Sequence, residues 1–101
     1  MSNGLAIEPE QLAEIRAILA EHLPKGVAAA AFGSRAGGNP KPWSDLDLVL
    51  EGPEPLSLRL LGTLTEAFDE SALPWKVDIV DRHTVSEAFA RIIDATRREL
   101  G

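Results

Sequence analysis

Ser44-Asp45-Leu46-Asp47-Leu48-Val49-Leu50 is an apolar run that carries two carboxylates, two positions apart, at its head. Alternate side chains of a strand share one face, so a strand here projects Asp45 and Asp47 together. Aspartate is depleted in strands, because its side chain competes for backbone hydrogen bonds and its charge resists burial. Val77-Asp78-Ile79-Val80 places a third carboxylate in another short apolar run. Close carboxylates raise each other's pKa unless a cation lies between them. Three of them in two strands, with the turn Gly33-Ser34-Arg35 upstream, read as a site for a metal-bound triphosphate.

The chain has 101 residues, 45% of them hydrophobic, which favours one domain with a small core. It has no cysteine, which excludes disulfides, thiolate metal sites and cysteine nucleophiles. A metal would need oxygen or imidazole ligands, and His22 and His83 are the only imidazoles. Oxygen ligands point to magnesium, manganese or calcium. A net charge of -6 argues against direct binding of nucleic acid, which rewards a basic surface. No apolar stretch approaches the ~20 residues of a membrane span, and no secretory signal pattern opens the chain. The expected location is cytoplasmic.

Pro9 suits a first helical turn, and Leu12, Ile15, Leu19 and Leu23 follow at helical spacing. The first helix is expected from about Pro9 to His22, ended by Pro24-Lys25-Gly26. Val27 to Phe32 reads as a strand between glycines, and Asp45 to Leu50 as the second strand, closed by Glu51-Gly52-Pro53. Between them Gly37-Gly38-Asn39-Pro40-Lys41-Pro42 reads as a functional loop. Ser57 is placed to cap a second helix whose buried face is Leu60, Leu61, Leu64, Ala67 and Phe68. Val77 to Val80 is the third strand. Thr84 and Glu87 have the spacing of a capping box, and Val85, Ala88, Phe89, Ile92, Ile93 and Leu100 then mark one side of a last helix. The order helix, strand, strand, helix, strand, helix predicts a small α/β (α+β) domain spanning residues 1–101, with helices packed on a sheet of three or four strands.

Magnesium prefers a few protein oxygens plus water and substrate phosphates, which suits three carboxylates with open positions. Two such ions about 3.5–4 Å apart can clamp both the attacking and the leaving oxygen of a phosphoryl displacement. Asp45 and Asp47 are placed to bridge the ions, and Asp78 to complete the ion that activates an incoming hydroxyl and to take its proton. Gly33 allows close backbone approach, Ser34 offers a hydroxyl and an N–H, and Arg35 adds a guanidinium that matches phosphate. Each feature alone has a plainer reading: a half-exposed Asp-x-Asp strand, or a turn with a surface arginine. Trp43 and Trp75 adjoin the motif strands, and packing under the site is favoured over stacking on a base. His22 and His83 read as helix-end residues, and Arg82, Arg91, Arg97 and Arg98 as a solvated helix face balanced by Glu87, Asp94 and Glu99.

Gly33-Ser34-Arg35-Ala36-x-Gly38, Ser44-Asp45-Leu46-Asp47-Leu48 and Val77-Asp78-Ile79-Val80-Asp81 together resemble the minimal nucleotidyltransferases of the DNA polymerase beta superfamily. The resemblance covers most of the chain, including Leu73-Pro74-Trp75-Lys76 before the third strand. It implies the nucleotidyltransferase fold with a mixed sheet, two magnesium ions, and ATP as substrate. Gly33, Ser34 and Arg35 would then hold the triphosphate; Asp45, Asp47 and Asp78 would be the metal-binding and catalytic carboxylates. Gly37 departs from the pattern, standing where relatives often carry a basic residue. Stand-alone members of this type pair with a separately encoded all-helical protein, HEPN-like or substrate-binding, and some pairs are toxin–antitoxin systems. The expected function is therefore transfer of AMP from ATP to a hydroxyl of such a partner, with a partner or a homodimer completing the site. The alternatives are transfer to a small-molecule acceptor through a separate substrate-binding subunit, and an antitoxin that neutralises by binding alone.

Overall fold

The computed structural model describes residues 7–37 and 44–100. Helix α1 (Pro9–His22) is followed by strand β1 (Ala28–Phe32), the single turn α2 (Ser34–Gly37), strand β2 (Leu46–Glu51) and helix α3 (Leu58–Asp69). Strand β3 (Val77–Asp81), a 3-10 turn (Arg82–Thr84), helix α4 (Glu87–Thr96) and the short strand β4 (Arg98–Glu99) complete it. Most of the loop expected between the first two strands, with Trp43, lies at residues 38–43, outside the described residues. Among the described residues no helix is long and apolar enough to cross a membrane.

The four strands form one mixed sheet in the order β3-β2-β1-β4. β1 is antiparallel to β2 and to β4, while β2 and β3 are parallel and joined through α3. Parallel neighbours require such a crossover, because a tight turn cannot return the chain to the same end. The inward face of α1 (Leu12, Ile15, Leu19) and of α3 (Leu64, Phe68) meets Ala29, Ala31, Leu46, Leu48 and Leu50 on one side of the sheet. On the other side Ile93, Phe89 and Val85 pack on Ala30, Phe32, Val49 and Val80. Phe32 and Phe89 meet edge to face at 5.8 Å between ring centroids, a geometry that the aromatic quadrupoles favour. The sequence of alternating faces thus sends Leu46, Leu48 and Leu50 into one core, and Asp47 and Val49 toward the other.

The helix starts are set by local hydrogen bonds. Gln11 Oε1 accepts the Glu8 N–H at 2.9 Å, and Ser57 Oγ accepts the Leu60 N–H at 3.1 Å. The expected capping box at Thr84 and Glu87 is not formed. Ser86 caps α4 instead, its Oγ accepting the Phe89 N–H at 3.1 Å. The cause is Asp81, buried at the end of β3. Its Oδ1 accepts the His83 N–H at 3.0 Å and the Thr84 hydroxyl donates to its carbonyl at 3.0 Å, so Thr84 is consumed in the 3-10 turn.

The last helix also ends sooner than its apolar pattern suggested. α4 stops at Thr96, and Leu100 is carried by β4 across to the α1 side of the sheet, where it is buried. The Leu100 N–H donates to the Ala29 carbonyl at 3.0 Å, and Arg16 Nε donates to the Leu100 carbonyl at 2.8 Å. Arg97 fixes this exit, pairing with Glu99 at 2.8 Å and with Glu51 at 3.1 Å. Glu51 and Glu99 flank β1 opposite Ala28 and Ala30, whose methyl groups leave room for a guanidinium to reach across. Ile92, expected on the buried side of this helix, is 57% exposed.

Asp81 also accepts the Leu56 N–H on Oδ2 at 2.7 Å, which ties the approach to α3 to the end of β3. Replacing Asp81 by Ala leaves the Leu56 and His83 donors without this acceptor and is expected to cost on the order of 3 kcal/mol. Asp81→Asn keeps one acceptor and should cost less; urea unfolding of the two variants measures the difference.

Candidate functional site

The site lies at the end of the sheet where β1 finishes and β2 and β3 begin. Strand register places Asp47 directly beside Asp78 on the parallel pair and opposite Phe32 on the antiparallel one. Asp45 precedes β2 and is exposed, while Asp47 and Asp78 are half-buried. The Asp47 carboxyl is held above the ordinary aspartate range by burial, and further by the charges of Asp78 and Asp45. The three carboxylates expected from the sequence therefore share one electrostatic field.

Gly33 comes next after β1, with φ of 79°, a left-handed conformation that glycine adopts without strain. A Cβ at this position would stand 2.6 Å from Asp47 Oδ2, closer than any side chain can approach. The missing side chain opens the space beside the carboxylate. Gly33 gives its own N–H to Thr96 Oγ1 at 3.2 Å, and Thr96 donates to the Ile92 carbonyl at 3.3 Å. What Gly33 contributes is the clearance beside Asp47; its N–H anchors the turn to the end of α4. Thr96 is a residue that the sequence does not reveal, since a threonine in the last turn of a helix looks like any surface position.

α2 carries Ser34 immediately beyond Gly33. Its carbonyl end is held by Arg98, whose Nε donates to Ala36 O at 3.3 Å. Arg35 is buried, with 7% exposure. Its Nε donates to the Ser44 carbonyl at 2.9 Å, and its guanidinium lies over the Trp75 ring at 4.7 Å from the centroid. Burial lowers its pKa, opposed by the charge of Asp45. Trp75 packs against the core beneath this guanidinium, as the sequence favoured. Lys76 Nζ lies 3.5 Å from Asp78 Oδ1, and the Lys76 carbonyl accepts the Leu46 N–H at 2.9 Å. The sequence reading took Lys76 only as part of the approach to β3; its place two residues before Asp78 was the available signal for this pair.

Among the described residues no three carboxylates or imidazoles are gathered into a ready-made metal cage. Magnesium does not require one, since it is commonly held by one or two carboxylates together with water and substrate phosphates. Facing oxygen donors with a bare glycine beside them fit a hard divalent cation by their chemistry.

The raised Asp47 pKa fixes a sign for stability. Its folded-state pKa lies above the ordinary value of 3.8, so the folded protein holds the proton more tightly than the unfolded chain. Stability attributable to this group falls as pH rises through that window and stays lowered above it. Asp47→Asn is therefore expected to raise the melting temperature at pH 7, with the gain shrinking as pH falls toward 4. Thermal melts of both proteins across that range test it.

Residues 12–100 match the family described as nucleotidyltransferase domain. The chain is 46% identical over 89 residues to the probable protein adenylyltransferase MntA of Haemophilus influenzae, covering 88% of this chain and 77% of that protein. Its fold matches a toxin–antitoxin crystal structure with AMP-PNP at a TM-score of 0.75 and 24% identity, over 89% of this chain and 72% of that one. It also matches a complex of tri-AMPylated Shewanella oneidensis HEPN toxin with MNT antitoxin, at a TM-score of 0.72 and 20% identity, over 94% and 72%. On the family match and the 46% identity, the chain belongs to the nucleotidyltransferase domain proteins.

Proposed function

We propose that this protein transfers AMP from ATP to a hydroxyl of a separate, helical partner protein, as the antitoxin of a HEPN-type pair. The observation that carries the reading is the juxtaposition of Asp47, Asp78 and the bare Cα of Gly33. The 46% identity to a probable protein adenylyltransferase supports AMP as the transferred group. The fold shared with HEPN toxin complexes supports a protein partner. A cytoplasmic setting goes with ATP as donor.

Asp45 and Asp47 would hold magnesium, and Asp78 would complete the site on the acceptor side. When bound, two ions would neutralise the triphosphate and stabilise charge on the attacking and leaving oxygens. The turn at Gly33 and Ser34 would receive the phosphates beside Asp47. The partner's hydroxyl oxygen attacks the α-phosphorus, the bond from that phosphorus to the bridging oxygen breaks, and pyrophosphate leaves with its electron pair. Asp78 would accept the hydroxyl proton. Its ion pair with Lys76 keeps a cation beside it. The acceptor hydroxyl would come from the partner, which the fold shared with HEPN toxin complexes supports.

Incubation with the partner and ATP labelled at the α-phosphate should move label onto the partner. Label moving from the γ-phosphate instead would mark kinase chemistry and overturn the reading. Gly33→Ala should reduce transfer by about 10²-fold or more, because a Cβ displaces Asp47 from its place beside the nucleotide. Single-turnover assays measure the loss, and circular dichroism checks that the variant remains folded.

A further inference from the structure

Arg35 is a buried cation beside the site, and its contacts with Ser44 and Trp75 run to two different strand entrances. Ser44, whose carbonyl it binds, immediately precedes Asp45. Trp75, on which it stacks, stands three residues before Asp78. Arg35 itself sits one residue beyond Ser34, in the turn that follows Gly33. One guanidinium thus joins the three segments from which the site is assembled. We propose that Arg35 is a positioning residue, locking the glycine turn onto the lead-ins of Asp45 and Asp78 so that the carboxylates meet a metal-bound nucleotide in register. This inference rests on the nucleotidyltransfer reading above.

The side-chain chemistry is specific to arginine. Stacking needs the flat, delocalised face of the guanidinium, and bonding Ser44 needs an N–H in the plane of that face. Lysine retains the charge but cannot supply both contacts from one rigid group. The Leu46 N–H to Lys76 carbonyl bond already couples the starts of β2 and β3. Arg35 adds the third side of that frame by fastening both starts to α2. The sequence pattern alone suggested that this guanidinium faces phosphate; its burial against Trp75 argues for action through the carboxylates instead.

Three variants separate the two roles: Arg35→Lys, Trp75→Ala and the double variant, with Trp75→Phe as a ring-preserving comparison. Mn2+ affinity is measured by electron paramagnetic resonance in the presence of α,β-methylene ATP, and transfer is measured with α-labelled ATP and the partner. Positioning predicts that Arg35→Lys weakens Mn2+ binding about tenfold and lowers kcat at least as much, with KM for ATP within about twofold. Trp75→Ala should give the same pattern, Trp75→Phe a smaller loss, and the double variant no more loss than either single change, as coupled residues do. A KM for ATP raised tenfold with Mn2+ affinity unchanged, or additive losses in the double variant, would overturn the proposal and return Arg35 to the phosphates. Wild-type protein that binds Mn2+ and the analogue but labels no partner overturns the functional reading alone, and the Mn2+ comparison still decides Arg35.

Discussion

Asp47 is crowded from every side. Its strand neighbour is another aspartate, the Cα opposite its carboxylate is bare, and burial holds its proton above the usual range. Such a carboxylate opposes folding at neutral pH, so the surrounding structure has to hold it there. That requirement explains why the elements around it are tied so directly to one another. Gly33 is bound to the end of α4 through Thr96, α2 is held by Arg98, and the starts of β2 and β3 are bonded to each other and to Arg35. The cost of the crowded site is met by packing on both faces of the sheet, chiefly Leu46, Leu48 and Leu50 on one and Phe32, Val49 and Ile93 on the other.

The main features of the fold follow from short-range rules that the sequence exposes. Pro9 and the leucine spacing define α1 to the residue, Ser57 caps α3 as its hydroxyl allows, and the apolar runs around the aspartates become β2 and β3. The failures cluster after β3, where hydrogen bonds and ion pairs decide rather than the apolar pattern. Thr84 has the right spacing to cap α4, but the buried carboxylate of Asp81 captures its turn. Leu100 fits the period of α4, but Arg97, Glu51 and Glu99 draw the chain into a fourth strand. Asp81 is only three residues from Thr84, but its burial depends on the sheet, and Glu51 is 46 residues from Arg97, so the spacing of apolar residues alone does not show either outcome.

The site divides along the same line. Asp45, Asp47, Asp78 and Gly33 were legible because each is a residue type that its local structure disfavours or specially requires. A charge in a strand and a glycine at a strand end both ask for a reason. Thr96 and Lys76 occupy positions that are ordinary for their types, and only the folded arrangement gives them contacts at the site; Arg35 was legible as a candidate, but its stacking on Trp75 was not.

The small residues of β1 connect these observations. Ala29 and Ala31 face one core while Ala30 faces the other, and the strand lies between β2 and β4. Large side chains here would hold α1 and α4 away from the sheet and would obstruct the reach of Arg97 from Glu99 to Glu51. With alanine, the sheet stays thin enough for α4 to pack on it closely, ending with Thr96 against Gly33. The bare Cα beside Asp47 and the short side chains of the strand leading to it are therefore parts of one design constraint. On the α4 side the strand is slim at Ala30 and bulky at Phe32, whose ring meets Phe89 edge to face, and the helix that anchors the glycine reaches it through that contact.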